Sequence, residues 1–192
     1  EESVADLHTM LADNTKMVFI TAGMGGGTGT GASPIVAKTA HDMGILTVGI
    51  VTIPFAFEGN VKIRQALEGV VALSEYVDAI LVINNEKLKN IFPDLNLSNA
   101  FAKADDVLTN AAKAIAEIIT ISGYINIDFA DVSTIMRDGK VAIMNTGYAS
   151  GDNRITRAID DALTSPLLNT SDVKGAKKVL LSLYCSHSNE IK

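Results

Sequence analysis

The chain has 192 residues, 47% of them hydrophobic, with a net charge of −6 and a pI of about 5.0. That length suffices for one large domain or two small ones with real cores. The acidic balance, with no dense Lys/Arg cluster, argues against a nucleic-acid or anionic-membrane partner.

The first segment, Glu1 to Asp13, carries Val4, Leu7, Met10 and Leu11 on one helical face. Met17 to Ala22 and Ile45 to Ile53 are continuous apolar runs of the kind buried parallel strands require. Ile45 to Phe57 is the longest near-apolar stretch. It is too short to cross a bilayer and contains Gly49 and Pro54, so direct membrane insertion is not expected. Between the two strands, Ala32 to Met43 reads as a helix closed by Gly44. Arg64 to Leu73 reads as another helix and Ala79 to Ile83 as a third buried strand. Strands alternating with helices imply right-handed crossovers and a parallel α/β sheet.

Ser98 to Ile121 is the longest helical pattern, with Phe101, Ala104, Leu108, Ala111, Ile115 and Ile118 recurring at three and four. Such a broad apolar stripe predicts burial between two layers, and Gly123 marks its end. A short helix from Phe129, a strand over Lys140 to Tyr148, a helix over Arg154 to Leu163 and a strand over Val179 to Ser186 follow. Cys185 is the only cysteine, which rules out an internal disulfide and agrees with a reducing cytosol. No stretch has the pattern of a secretory signal. His8, His41 and His187 are scattered without ligand spacing, so a protein-built transition-metal site is not expected.

The strongest chemical signal is Gly25-Gly26-Gly27-Thr28-Gly29-Thr30-Gly31, lodged between the first strand and the helix after it. Strand, glycine loop and helix together present bare backbone N–H groups to a phosphate at a helix N-terminus. Glycine permits close approach and positive φ, and the threonine hydroxyls can donate to phosphate oxygens or hold a hydrated metal. Two commoner glycine loops do not fit. A P-loop needs lysine where Ala32 stands. A dinucleotide fingerprint forced onto Gly27, Gly29 and Ala32 needs an acid closing the next strand, which ends instead in Thr52-Ile53-Pro54. A flexible linker does not belong between a buried strand and a helix.

The heptapeptide Gly-Gly-Gly-Thr-Gly-Thr-Gly resembles the signature of the tubulin family. Its context, from Ala22-Gly23-Met24 to Gly31-Ala32-Ser33-Pro34, resembles the bacterial cell-division branch, FtsZ. Pro54-Phe55-Ala56-Phe57-Glu58-Gly59, Asn126-Ile127-Asp128-Phe129-Ala130-Asp131-Val132 and Ser165-Pro166-Leu167-Leu168 resemble further family landmarks, in family order. The resemblance implies three parts: a parallel-sheet, tubulin-like GTPase domain (Rossmann-like α/β) over 1–97, a long central helix over 98–122 and an α+β C-terminal domain over 123–192. The first and last are implied to be partial, lacking the opening strands and the final ones. A chain cut in that way is expected to bind GTP weakly or not at all on its own.

By the same resemblance the ligand is GTP or GDP with Mg²⁺, held by Gly25 to Gly31. Glu58 lies near the ribose, and Asn85, Phe101 and Asp105 contact guanine. Asp105 suits that task, because a carboxylate can accept from both N1–H and N2–H₂ of guanine. On their residue types alone, these three read as a strand-end Asn, a core Phe and a solvated Asp. The family places an arginine where this chain has Lys62, with Arg64 two positions on; either can supply a positive charge to the phosphates, though lysine lacks the planar fork. Asp128 and Asp131 read alone as an N-cap and a first-turn acid favoured by the helix dipole.

The resemblance gives these acids another role. It implies that they enter the nucleotide site of the next subunit in a head-to-tail filament and, with Asn126, polarise the attacking water. The implied protein is a polymerising GTPase of bacterial cytokinesis, cytoplasmic at the mid-cell division site. Its partners are its own copies, and other division proteins through regions outside this chain. Two other readings stay open: a filament module whose nucleotide is a fixed clamp, and a non-division relative such as a plasmid-segregation GTPase.

Overall fold

A computed structural model describes residues 2–91, 97–121, 127–164 and 175–186. Helix α1 (Glu2–Leu11) leads into strand β1 (Met17–Gly23), helix α2 (Gly27–Asp42) and strand β2 (Leu46–Ile53). A single 3₁₀ turn (Ala56–Glu58) and helix α3 (Asn60–Ser74) return the chain to strand β3 (Ala79–Asn84). Then come α4 (Asn85–Ile91), the long α5 (Leu97–Thr120), α6 (Phe129–Met136), the two-residue strand β4 (Lys140–Val141) and α7 (Arg154–Leu163). The four strands form one parallel sheet in the order β1-β2-β3-β4.

The parity of the strands divides the core. Val18, Ile20 and Ala22 of β1, Val51 of β2, and Ile80 and Val82 of β3 pack with Ala37 and Val36 of α2 and with Ala66, Val70 and Leu73 of α3. Met17, Phe19, Val48, Ile50, Leu81 and Ile83 occupy the opposite face with Val107, Ala111 and Ile115 of α5. Helices therefore cover both faces, the condition under which parallel strands become continuous apolar runs. Each fully buried side chain of β2, such as Leu46, Val48 and Ile50, contributes about 1.5–3 kcal/mol.

Asp78 fastens the N-terminal edge of the sheet. It is buried just before β3, and its Oδ2 accepts the Thr47 amide at 3.0 Å. Its own amide donates to the Thr47 carbonyl, and its carbonyl accepts from Lys140, which sets β4 beside β3. Asp78→Ala would leave the Thr47 N–H buried without an acceptor. Urea unfolding of this variant is expected to show a loss of about 1–3 kcal/mol, with most of it recovered in Asp78→Asn, which keeps an accepting oxygen.

Four segments depart from the sequence expectations. Helix α2 begins at Gly27 rather than Ala32, because the glycines continue the helical path once Gly26 caps it. Helix α4 was not expected; its first residues are polar, yet Leu88 is buried. The expected strand over Lys140 to Tyr148 is regular only at Lys140–Val141. Val179 to Ser186 forms no strand, and Val179, Leu181, Leu183 and Tyr184 are exposed. Alternation supplies a strand's faces but not its ladder, and among the described residues no strand lies alongside that segment. Gly123, expected to mark the end of the long helix, and the Ser165 to Leu168 landmark lie outside the described residues.

Candidate functional site

The glycine turn sits at the C-terminal edge of β1, where open α/β sheets bind ligands. Met24 donates to the carbonyl of Thr52, tying the turn to the end of β2. Gly25 has φ +94, and a Cβ there would meet the Lys62 carbonyl at 2.7 Å and Pro54 Cγ at 2.9 Å. Only glycine fits between them. Its N–H donates to Thr30 Oγ1 at 2.9 Å, so this hydroxyl closes the loop upon itself. A Cβ on Gly29 would overlap the Gly23 carbonyl.

Gly26, Gly27 and Gly31 differ from these two. A Cβ on any of them would meet nothing within 4 Å. Gly26 caps α2 with no side-chain hydrogen bond, and the first turn, Gly27, Thr28 and Gly29, contains no acid. Helix α2 thus offers uncapped N–H groups and the positive end of its dipole to open space, the combination an anion requires.

The neighbouring side chains form one connected wall. Glu58 Oε1 accepts the Phe55 amide at 2.9 Å, and its Oε2 accepts from Lys62 Nζ at 2.6 Å. Lys62 is therefore paired with Glu58, while Arg64, two residues on and so on the other side of α3, is exposed. Glu86 Oε2 takes the Ala56 amide at 2.9 Å, fixing the 3₁₀ turn to the start of α4. Beside it, Asn85 is only 5% exposed and its Oδ1 is buried without a hydrogen-bond partner. A buried acceptor left in that state costs about 1–3 kcal/mol, which a donor from water or from a ligand would recover. Phe101, in the second turn of α5, packs against Phe55 and Phe57, and Asp105 is exposed one turn further along the same face.

The structure thus brings Gly25 to Gly31, Glu58, Lys62, Asn85 and Phe101 to one edge, with Asp105 adjoining. Pattern reading had missed Glu86 and the pairing of Phe55 with Phe57.

Asp128 and Asp131 stand elsewhere. Asp128 caps α6: its Oδ1 accepts the Asp131 amide at 2.9 Å, and Asp131 Oδ2 accepts the Asp128 amide at 3.2 Å. This reciprocal capping box leaves both carboxylates exposed. Asn126 lies outside the described residues. The C-terminal end of α6 is fixed at the opposite edge of the sheet from the glycine turn. Met136 packs against the cluster of Val48, Ile50, Ile83, Ala111 and Ile115, Arg137 Nη2 reaches the Gly44 carbonyl at 3.5 Å, and the Lys140 amide donates to the Asp78 carbonyl at the start of β3.

A parallel sheet covered on both faces, with a glycine turn feeding the N-terminus of α2 and a long helix across the second face, defines a tubulin-like α/β fold. The family model described as "Tubulin/FtsZ family, GTPase domain" matches residues 1–93, and that described as "FtsZ family, C-terminal domain" matches residues 140–192. "Cell division protein FtsZ" of Porphyromonas gingivalis is 58% identical over 185 residues, covering 96% of this chain and 40% of that protein. Its counterpart in Azotobacter vinelandii is 51% identical over 170 residues, covering 88% and 43%. The solved "FtsZ dimer, empty" of M. jannaschii superimposes with a TM-score of 0.81 at 46% identity, covering 87% of this chain and 48% of that one. The chain belongs to the Tubulin/FtsZ family and spans less than half the length of these relatives.

Proposed function

We propose that the protein carrying this chain is a polymerising GTPase of bacterial cytokinesis, acting in the cytoplasm at the division site. Its GTP phosphates would rest on the N–H groups of Gly26 to Gly29, with Thr28 beside them. Guanine would meet Asn85, Phe101 and Asp105, and Glu58 would lie by the ribose. The open space at Gly26 and Gly27 and the orphaned Asn85 acceptor suit such a ligand. With Lys62 held by Glu58, Arg64 is the freer of the two cations for the phosphates. Among the described residues no three His, Cys, Asp or Glu side chains cluster to hold a metal. Mg²⁺ would therefore be carried by the phosphate oxygens, with Thr28 as the nearest hydroxyl, and would supply charge neutralisation there.

The observation that carries this reading is that Asp128 and Asp131 open a helix whose other end is anchored at Gly44 and beside Asp78, the edge of the sheet away from the glycine turn. Besides capping α6, exposed acids on such a helix would serve a nucleotide bound by another subunit, stacked head to tail. Phosphoryl transfer depends chiefly on positioning and electrostatics, so a site divided between two chains makes turnover depend on assembly. The domain division at 97/98 and 122/123 follows the same logic: α5 carries the base contact at one end and delivers the chain to the acids at the other.

The test is the dependence of GTP hydrolysis on the concentration of full-length protein. Per-subunit turnover is expected to rise steeply from near zero to a plateau as sedimentable polymer forms. A per-subunit rate independent of concentration would place the whole site in one chain. Polymer that retains its GTP without turnover would favour the fixed-clamp alternative.

A further inference from the structure

We propose that Phe57 is a positioning residue for the nucleotide base: with Phe55 it builds a two-ring wall that fixes the ring of Phe101. This inference rests on the base-contact role assigned to Phe101 above. Phe55 and Phe57 are stacked, with centroids 5.0 Å apart and planes 12° from parallel. Phe101 stands edge-on to both, at 5.4 Å and 85° from Phe55 and at 6.2 Å and 89° from Phe57. These are the arrangements that aromatic quadrupoles favour.

The burial of the three rings differs in an informative way. Phe55 is fully buried and anchors the wall, whereas Phe57 is 53% exposed and Phe101 41% exposed. A half-exposed phenylalanine on a helix would otherwise exchange between rotamers, and each exchange would tilt a stacking surface away from its base. Two perpendicular neighbours restrict that exchange. The wall itself cannot drift, because the turn that bears Phe57 is held from two sides. Glu58 accepts the Phe55 amide, and Glu86, next to Asn85, accepts the Ala56 amide. The backbone that carries Phe57 is thereby tied to Glu86, the chain neighbour of Asn85, whose Oδ1 is buried without a partner.

Equilibrium binding to full-length protein tests this, with GTP measured directly and inorganic tripolyphosphate measured by displacement of GTP. Phe57→Ala is expected to weaken GTP about three- to tenfold while leaving tripolyphosphate unchanged, because the glycine cradle is untouched. Phe57→Tyr should bind GTP like the parent. In a Phe101→Ala background, Phe57→Ala should have no further effect. Equal weakening of GTP and tripolyphosphate would show that Phe57 merely supports the turn. Independent, additive effects of the two substitutions would likewise overturn the proposal. If Phe101→Ala itself leaves GTP affinity intact, the base contact is misassigned, an outcome distinct from failure of the Phe57 role. Should Phe57→Ala not fold, Phe57→Leu keeps the apolar volume and removes only the ring.

Discussion

Asp131→Asn in the full-length protein is expected to cut GTP hydrolysis at least ~100-fold while leaving GTP affinity within about twofold. Asparagine is the informative substitution because Asp131 has a second task. Its Oδ2 accepts the Asp128 amide in the capping box of α6, and an amide oxygen can take over that bond. Asp131→Ala would remove charge and cap together and add about 1 kcal/mol of lost helix stability. Retained binding with lost turnover, measured by nucleotide titration and phosphate release, is what an acid serving the neighbouring subunit requires. If Asp131→Asn instead weakened GTP binding, or hydrolysed GTP at the parent rate, Asp131 would be a helix-start carboxylate and nothing more.

Gly27→Val is expected to do the reverse, lowering GTP affinity by a factor of about 10²–10⁴ through the loss of two or more charge-assisted bonds. The fold should tolerate it, because a Cβ at Gly27 meets no atom within 4 Å and the residue opens a regular helix. The damage is then confined to the space a phosphate would enter. Gly29→Ala is the contrasting control: its methyl would overlap the Gly23 carbonyl, so thermal unfolding should show the loss before any ligand is added. Mixing the two single variants gives the sharper result. An intact acid pair on a Gly27→Val subunit can meet bound GTP on an Asp131→Asn subunit, so some hydrolysis should return to a mixture of two inactive proteins. A mixture that stays inactive although both variants co-sediment would refute the divided site.

The buried parallel strands were legible because both faces are covered. Met17 to Ala22, Ile45 to Ile53 and Ala79 to Ile83 differ from β1, β2 and β3 by a residue at their ends. The stripe of α5 and the span of α7 were equally readable. The start of α2 was not, since five glycines carry a coil preference that only the cap at Gly26 and the tie of Met24 to β2 overcome. Of the site, the glycine turn could be read from residue types, and the acids could be read as a helix start. That the helix they open is anchored by its other end at the edge of the sheet away from the glycine turn is a property of topology, which no local pattern encodes. The aromatic wall was hidden for a related reason: Phe101 is distant in sequence from Phe55 and Phe57, and their meeting depends on where α5 crosses β2.

A site divided as proposed would give any row of such subunits a sense of time. At one extremity a nucleotide would face solvent with no acids to meet it; at the other, a pair of acids would have nothing to act upon. A pair of subunits would contain a single complete site, whereas a long row would contain nearly one for every member. Triphosphate would then survive longest on the outermost cradle and be spent first in the interior. Each subunit's bound nucleotide would record how long that subunit has had a neighbour, so old and new stretches of the same polymer would differ chemically before they differed in shape.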